Sequence, residues 1–151
     1  MKNILFICTG NTCRSPMAEA LFKFKTGSNS PWKSSSAGTH ALSGTPASLE
    51  AQIAVNAIGA NLKNHNSRPI KKDLIEEADL ILVMTKGHKK YITENFSNVS
   101  HRVYLINELG TSKVRDISDP YGSAIEIYRD TCNEIEHAID ELITFLKLSE
   151  K

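Results

Sequence analysis

Five residues separate Cys8 from Arg14 in the stretch ILFICTGNTCRS, residues 4–15, where a short apolar run feeds a glycine-containing loop and then a helix. A thiolate is favoured where a fixed cation and a helix N-terminus stand beside the sulfur, and Cys8 has both within seven residues. The spacing closes a nearly circular loop whose backbone N–H groups can converge on one tetrahedral anion while the Arg14 guanidinium grips two of its oxygens. Such a cradle suits phosphate. Gly10 lets the backbone approach the anion, and Asn11 is among the few non-glycine residues that tolerate the positive φ such a turn needs. Ser15 can offer its hydroxyl to the Cys8 sulfur, and Pro16 fits a first helical turn, where a missing N–H costs nothing.

This loop must be presented by a strand and held by a helix. Lys2–Cys8 is apolar on both faces and reads as a central parallel strand; the helix from Arg14 to about Phe24 carries Met17, Ala20, Leu21 and Phe24 on its inner face. Residues 25–33 form a surface turn with Trp32 as an aromatic at the core's edge, and residues 33–36 a second strand. Thr45 as N-cap and Pro46 as first residue open a helix with Leu49, Ile53 and Ala57, and with them Ala54 and Ile58, as its candidate inner face and Gly59 as its stop. A short helix over residues 73–78, a third strand over 79–84, a helix capped by Thr85 and a fourth strand over 102–106 follow. A long loop then leads to a helix from Ser123 to about Lys147, striped by Ala124, Tyr128, Cys132, Ile135, Ile139, Leu142 and Leu146. Strands alternating with helices predict a three-layer α/β/α domain on a four-stranded parallel sheet, one domain spanning residues 1–151. Cys132, on the stripe, reads as inert core. His88, beside Lys86, Lys89 and Lys90, reads as part of a solvated helix face, and with no second ligand at metal spacing no metal site is expected.

With 151 residues, 40% of them hydrophobic, the chain is large enough for one core, burying ~68% of its unfolded surface. A net charge of +1 and the absence of basic runs argue against nucleic acid or membrane as a partner. The apolar run after Asn3 is too short for a signal peptide, and three cysteines fit a reducing compartment better than a disulfide framework; both point to the cytoplasm.

The stretch CTGNTCRSPMAEAL, residues 8–21, resembles the phosphate-binding loop and first helix of the low-molecular-weight protein phosphatases, C-x-G-N-x-C-R-S-P. Within that family it is most similar to the bacterial protein arginine phosphatases, which share the threonines seen here as Thr9 and Thr12. The resemblance spans essentially the whole chain. It implies a strand order of 2-1-3-4, no cofactor, and a protein substrate dephosphorylated in two steps: Cys8 attacks phosphorus while the loop of Thr9, Gly10, Asn11, Thr12, Cys13, Arg14 and Ser15 holds the oxygens. Breaking a phosphoester or phosphoramidate bond also needs an acid on the far side of phosphorus. Asp119-Pro120-Tyr121 matches the family's D-P-[FY] element, so the resemblance makes Asp119 the acid, gives Asp116 a lesser role and sets Tyr121 beside the substrate.

It further implies that Ser36, His65 and Ser67 brace the loop asparagine, Asn11, and that the loop from His40 to Ser43 walls the pocket. There Leu42 stands where phosphotyrosine enzymes often carry an aromatic residue. Thr12 replaces their common isoleucine, and its hydroxyl suits the polar guanidine of phosphoarginine, which is the favoured substrate; phosphotyrosine is the alternative. Arsenate reduction on the same fold would need relay cysteines after the third strand, where the chain reads Met84-Thr85-Lys86-Gly87-His88. A module that binds phosphoproteins without turnover would be expected to lack Cys8, Arg14 or Asp119. Cys13 is a candidate redox partner that could form a reversible disulfide with an oxidised Cys8.

Overall fold

The structure is a computed structural model that describes residues 1–149. Strand β1 (Lys2–Cys8) leads into helix α1 (Arg14–Thr26), and β2 (Trp32–Gly38) is followed by α2 (Leu49–Asn56) and α3 (Lys72–Glu77). Then come β3 (Leu80–Val83), α4 (Lys86–Asn95), a 3-10 turn over Ser97–Arg102, β4 (Val103–Leu105) and the long α5 (Ile125–Ser149). The four strands are parallel in the order β2-β1-β3-β4.

Alternation along the central strands builds two cores. Ile4, Phe6 and Cys8 of β1, with Leu80 and Leu82 of β3 and Met84 just beyond it, face α1, α2 and α5; Leu5 and Ile7, with Ile81 and Val83, face α3 and α4. Both central strands are therefore buried on both faces, and each large apolar side chain so enclosed contributes about 1.5–3 kcal/mol. The predicted stripe of α5 lies in the first core from Tyr128 onward, with Cys132, Ile135, Ile139, Leu142 and Leu146 also buried; Ala124, expected to start it, is exposed just ahead of the helix. Burial pushes the Cys132 thiol up to about 11, which keeps it protonated and unreactive. Trp32 packs partly buried at the edge of the same core, with the Lys2 ammonium 5.0 Å from its ring. Among the described residues no helix is long and apolar enough to cross a membrane.

Two expectations about faces are corrected. The N-cap of α2 is Ser48, whose Oγ accepts from the Ala51 N–H, and not Thr45. Its start thus lies three residues later than expected. Ala54 faces the core as expected, with Ala51 and Val55 beside it and Ile58 partly buried, whereas Leu49, Ile53 and Ala57 are exposed. Phe24 likewise lies half exposed, against Gly59, where φ is +116°.

The connections place the loops after β1, β2, β3 and β4 at the carboxyl edge of the sheet, and the strand order reverses at β1. Open α/β sheets put their ligand crevices at such a point.

Candidate active site

Cys8 ends β1, and the chain then turns sharply through Asn11, whose φ is +57° and whose side chain is fully buried. That turn brings the Asn11 N–H to 3.3 Å from the Cys8 sulfur, as a donor. Ser15, in the first turn of α1, places its Oγ 2.9 Å from the same sulfur.

Which of that pair donates follows from counting hydrogens. The Asn11 Oδ1 accepts from the Arg68 N–H (3.0 Å), which fixes its amide so that Nδ2 donates to Ser15 Oγ (2.8 Å) and Ser36 Oγ (3.0 Å). Ser36 in turn donates to the Glu19 carboxylate (2.6 Å). Ser15 Oγ therefore accepts from Asn11 and has one hydrogen left, which points at Cys8. Among the described residues both polar contacts on the sulfur are donors, and neither is a base. His65 completes the brace: its Nε2–H donates to the Asn11 backbone carbonyl at 2.7 Å.

Ser67 departs from its expected place. Its Oγ accepts from the Thr45 N–H and donates to the Leu42 carbonyl, so it pins the loop over residues 42–45 and does not touch Asn11. Gly38, at the end of β2, has a tight role: a Cβ there would stand 2.4 Å from the Thr9 carbonyl oxygen, so only glycine lets the loop pass this closely.

Arg14 is buried, with one guanidinium nitrogen donating to the Ile117 carbonyl (2.8 Å) and the other 3.7 Å from Asp119 Oδ2. Ile117 also donates its N–H to the Met84 carbonyl (2.8 Å), so one buried residue ties the long loop to the end of β3 and to Arg14. Asp119 follows two residues on, more than half exposed, its Oδ1 accepting from the Tyr121 N–H. Asp116 instead caps α4, accepting from the Lys86 N–H at 2.8 Å.

Residues 8–14, Asp119 and Tyr121 line a cavity of about 230 Å³, room for a phosphoryl group and the end of one side chain. Thr12 and the exposed Tyr121 are on its wall; Leu42, exposed at the surface, is not. The three cysteines are free, and the Cys13 sulfur lies near Ser48 Oγ (3.4 Å) and the Tyr128 hydroxyl (3.5 Å), contacts that would have to give way before Cys13 could bond Cys8.

His88 overturns the expectation of a solvated face. It is buried, and its Nε2 lies 2.8 Å from the Thr9 hydroxyl. Thr85 caps α4 by accepting from the His88 N–H, which directs His88, with Ile92 four residues on, to the buried side of the helix. That i, i+4 pairing was the available signal, hidden by three neighbouring lysines. Glu19 and Arg68 are the other supports that sequence reasoning missed, reached only through tertiary contacts.

Desolvation first, then the charge of Arg14, lowers the His88 pKa from 6.5 to about 4. The unfolded chain therefore takes up a proton that the folded chain refuses, and stability is full above pH 6.5 and falls as pH drops from about 6.5 towards 4. After allowance for solvent screening the loss is roughly 2 kcal/mol. Urea melts from pH 7.5 to 4.5 are expected to show this slope in the wild type and a flatter one in His88→Gln; equal slopes would contradict it.

Fold and loop together define an α/β protein with a thiol and a buried arginine on one cavity at the carboxyl edge of a parallel sheet. Residues 3–151 match the family described as low molecular weight phosphotyrosine protein phosphatase, and the chain belongs to that family. It is 40% identical over 151 residues to a protein-arginine-phosphatase of Bacillus subtilis, covering 96% of this chain and 97% of that protein. The YwlE arginine phosphatase of Geobacillus stearothermophilus superposes with a TM-score of 0.92 at 37% identity, covering 99% of this chain and 96% of that one. A YwlE cysteine-to-serine mutant with a phosphorylated active site serine superposes with a TM-score of 0.88 at 39% identity, covering 96% and 95%.

Proposed function

We propose that this chain is a cysteine-dependent protein phosphatase that hydrolyses phosphoarginine. The Cys8 thiolate attacks phosphorus and a cysteinyl phosphate forms as the P–N bond breaks; Asp119, in its acid form, gives its proton to the departing guanidine nitrogen. Arg14 and the loop amides carry the charge of the phosphoryl oxygens, so the cation of this scheme is a side chain and the scheme needs no metal. In the second step Asp119 takes a proton from water as the water attacks phosphorus, the S–P bond breaks, and the Ser15 hydroxyl receives the returning thiolate as a hydrogen-bond donor. The phosphorylated serine named for the YwlE mutant supports a covalent intermediate at this position.

The observation that carries the substrate assignment is the Thr12 side chain on the cavity wall, a polar group where the leaving group must lie. A guanidine can hydrogen-bond it; a phenyl ring would leave it only the long contact of 3.8 Å to the Cys13 sulfur, and sites that offer a polar partner discriminate for that reason. The name of the B. subtilis relative points the same way. Phosphotyrosine is the second reading, favoured by Tyr121, which stands 76% exposed and lines the cavity, available to stack on an aromatic ring.

Phosphoarginine and phosphotyrosine versions of one peptide, assayed side by side, distinguish the two. The expected result is a phosphoarginine preference that Thr12→Ile reduces at least about tenfold, the effect of one lost hydrogen bond to a charged group. A wild-type preference for phosphotyrosine would overturn the assignment.

A further inference from the structure

We propose that His88 is a positioning residue of the phosphate-binding loop: it donates from Nε2–H to the Thr9 hydroxyl, leaving the Thr9 hydrogen to bind the phosphoryl group. The inference rests on the reading of the loop as a phosphate site.

The argument is again a count of hydrogens. The ring is buried, and its Nδ1 has no partner among the described residues. Burial and the nearby Arg14 charge keep the imidazole neutral, so it carries one hydrogen, on one nitrogen or the other. With the hydrogen on Nδ1, an N–H would be buried unpaired, a rare and costly condition in folded proteins. With it on Nε2, the hydrogen meets Thr9 Oγ1 at 2.8 Å and only a lone pair is orphaned. The Nε2–H form is also the one that a free histidine side chain prefers in water.

Once Nε2 donates, the Thr9 oxygen acts as acceptor and its own hydrogen is uncommitted. Among the described residues no second partner holds that hydroxyl. Thr9 is exposed, lines the cavity next to Cys8, and has its backbone fixed by the His40 N–H on its carbonyl (3.0 Å). A hydroxyl so held is a preorganised donor for an anion in the cradle, and hydrogen bonds to charged groups are the strong ones.

The test has two parts. In the wild type, long-range 15N–1H spectra of histidine-labelled protein are expected to show the His88 ring protonated at Nε2 and bare at Nδ1; the opposite tautomer would overturn the proposal without any variant having to fold. Inorganic phosphate as competitive inhibitor of aryl phosphate hydrolysis supplies the second readout. Thr9→Val and His88→Asn are each expected to raise its inhibition constant about tenfold, and the double variant no further. The amide nitrogen of glutamine stands close to where Nε2 was, that of asparagine close to Nδ1, so His88→Gln is expected to recover most of the loss. A wild-type constant for His88→Asn, or multiplied effects in the double variant, would refute the role of His88. A wild type indifferent to phosphate would instead overturn the reading of the site itself.

Discussion

Cys8→Ser is expected to lower turnover by about four to six orders of magnitude on any phosphorylated substrate. The reason lies in what surrounds the sulfur. The Asn11 N–H and the Ser15 hydroxyl both donate to it, and among the described residues no imidazole or carboxylate is in hydrogen-bond contact with it. A thiolate held by two donors is a good leaving group when water attacks the phosphorylated enzyme, whereas a phosphorylated serine would have to expel a far more basic oxygen anion. The fold should be unaffected, since oxygen fits where sulfur did. Melting at an unchanged temperature together with lost hydrolysis is the expected pair of results; a residual rate above about one per cent would show that Cys8 is not the nucleophile.

Asp119→Asn is expected to slow hydrolysis of phosphoarginine, and of esters with poor leaving groups, by about 10²–10⁴. An asparagine keeps the Oδ1 acceptor for the Tyr121 N–H, so the turn that carries it stays closed. What it lacks is the proton. Activated aryl phosphates expel a leaving group that needs little protonation, so the loss on nitrophenyl phosphate should be at least tenfold smaller than on phosphoarginine. Equal losses on both would remove Asp119 from the acid role and leave it a structural partner of Arg14, 3.7 Å away.

How much of this was legible in the sequence depended on whether a feature was local. The strand β1, the loop and the start of α1 form one continuous segment whose chemistry is written in order, and even the positive φ at Asn11 follows from its residue type. The sheet came from apolar runs, its order from the family resemblance. Errors arose where two signals competed. Thr45-Pro46 and Ser48 are both plausible helix starts, and the choice is made by Ser67, which takes the Thr45 N–H and holds that stretch outside the helix. Leu49 and Ile53 are apolar at helical spacing, yet the inner face is taken by Ala51, Ala54 and Val55, so hydrophobicity ranked by size pointed to the wrong face. His88 was obscured for another reason: composition marks its neighbourhood as solvated, while burial is set by the cap at Thr85 and the fit against Thr9. The Glu19–Ser36–Asn11–Ser15 chain joins α1, β2 and the loop, and no sequence spacing encodes such a relay.

The central claim is that phosphorus is carried by Cys8 between substrate and water. Mixing the protein with excess phosphopeptide, quenching within milliseconds and mapping the phosphoryl group by peptide mass spectrometry tests it most directly. The account predicts a phosphorylated peptide containing Cys8, formed and consumed fast enough to account for turnover and absent from Cys8→Ala. Steady release of phosphate with no phosphoryl group on Cys8 at any quench time, or with the group on another residue, would contradict it.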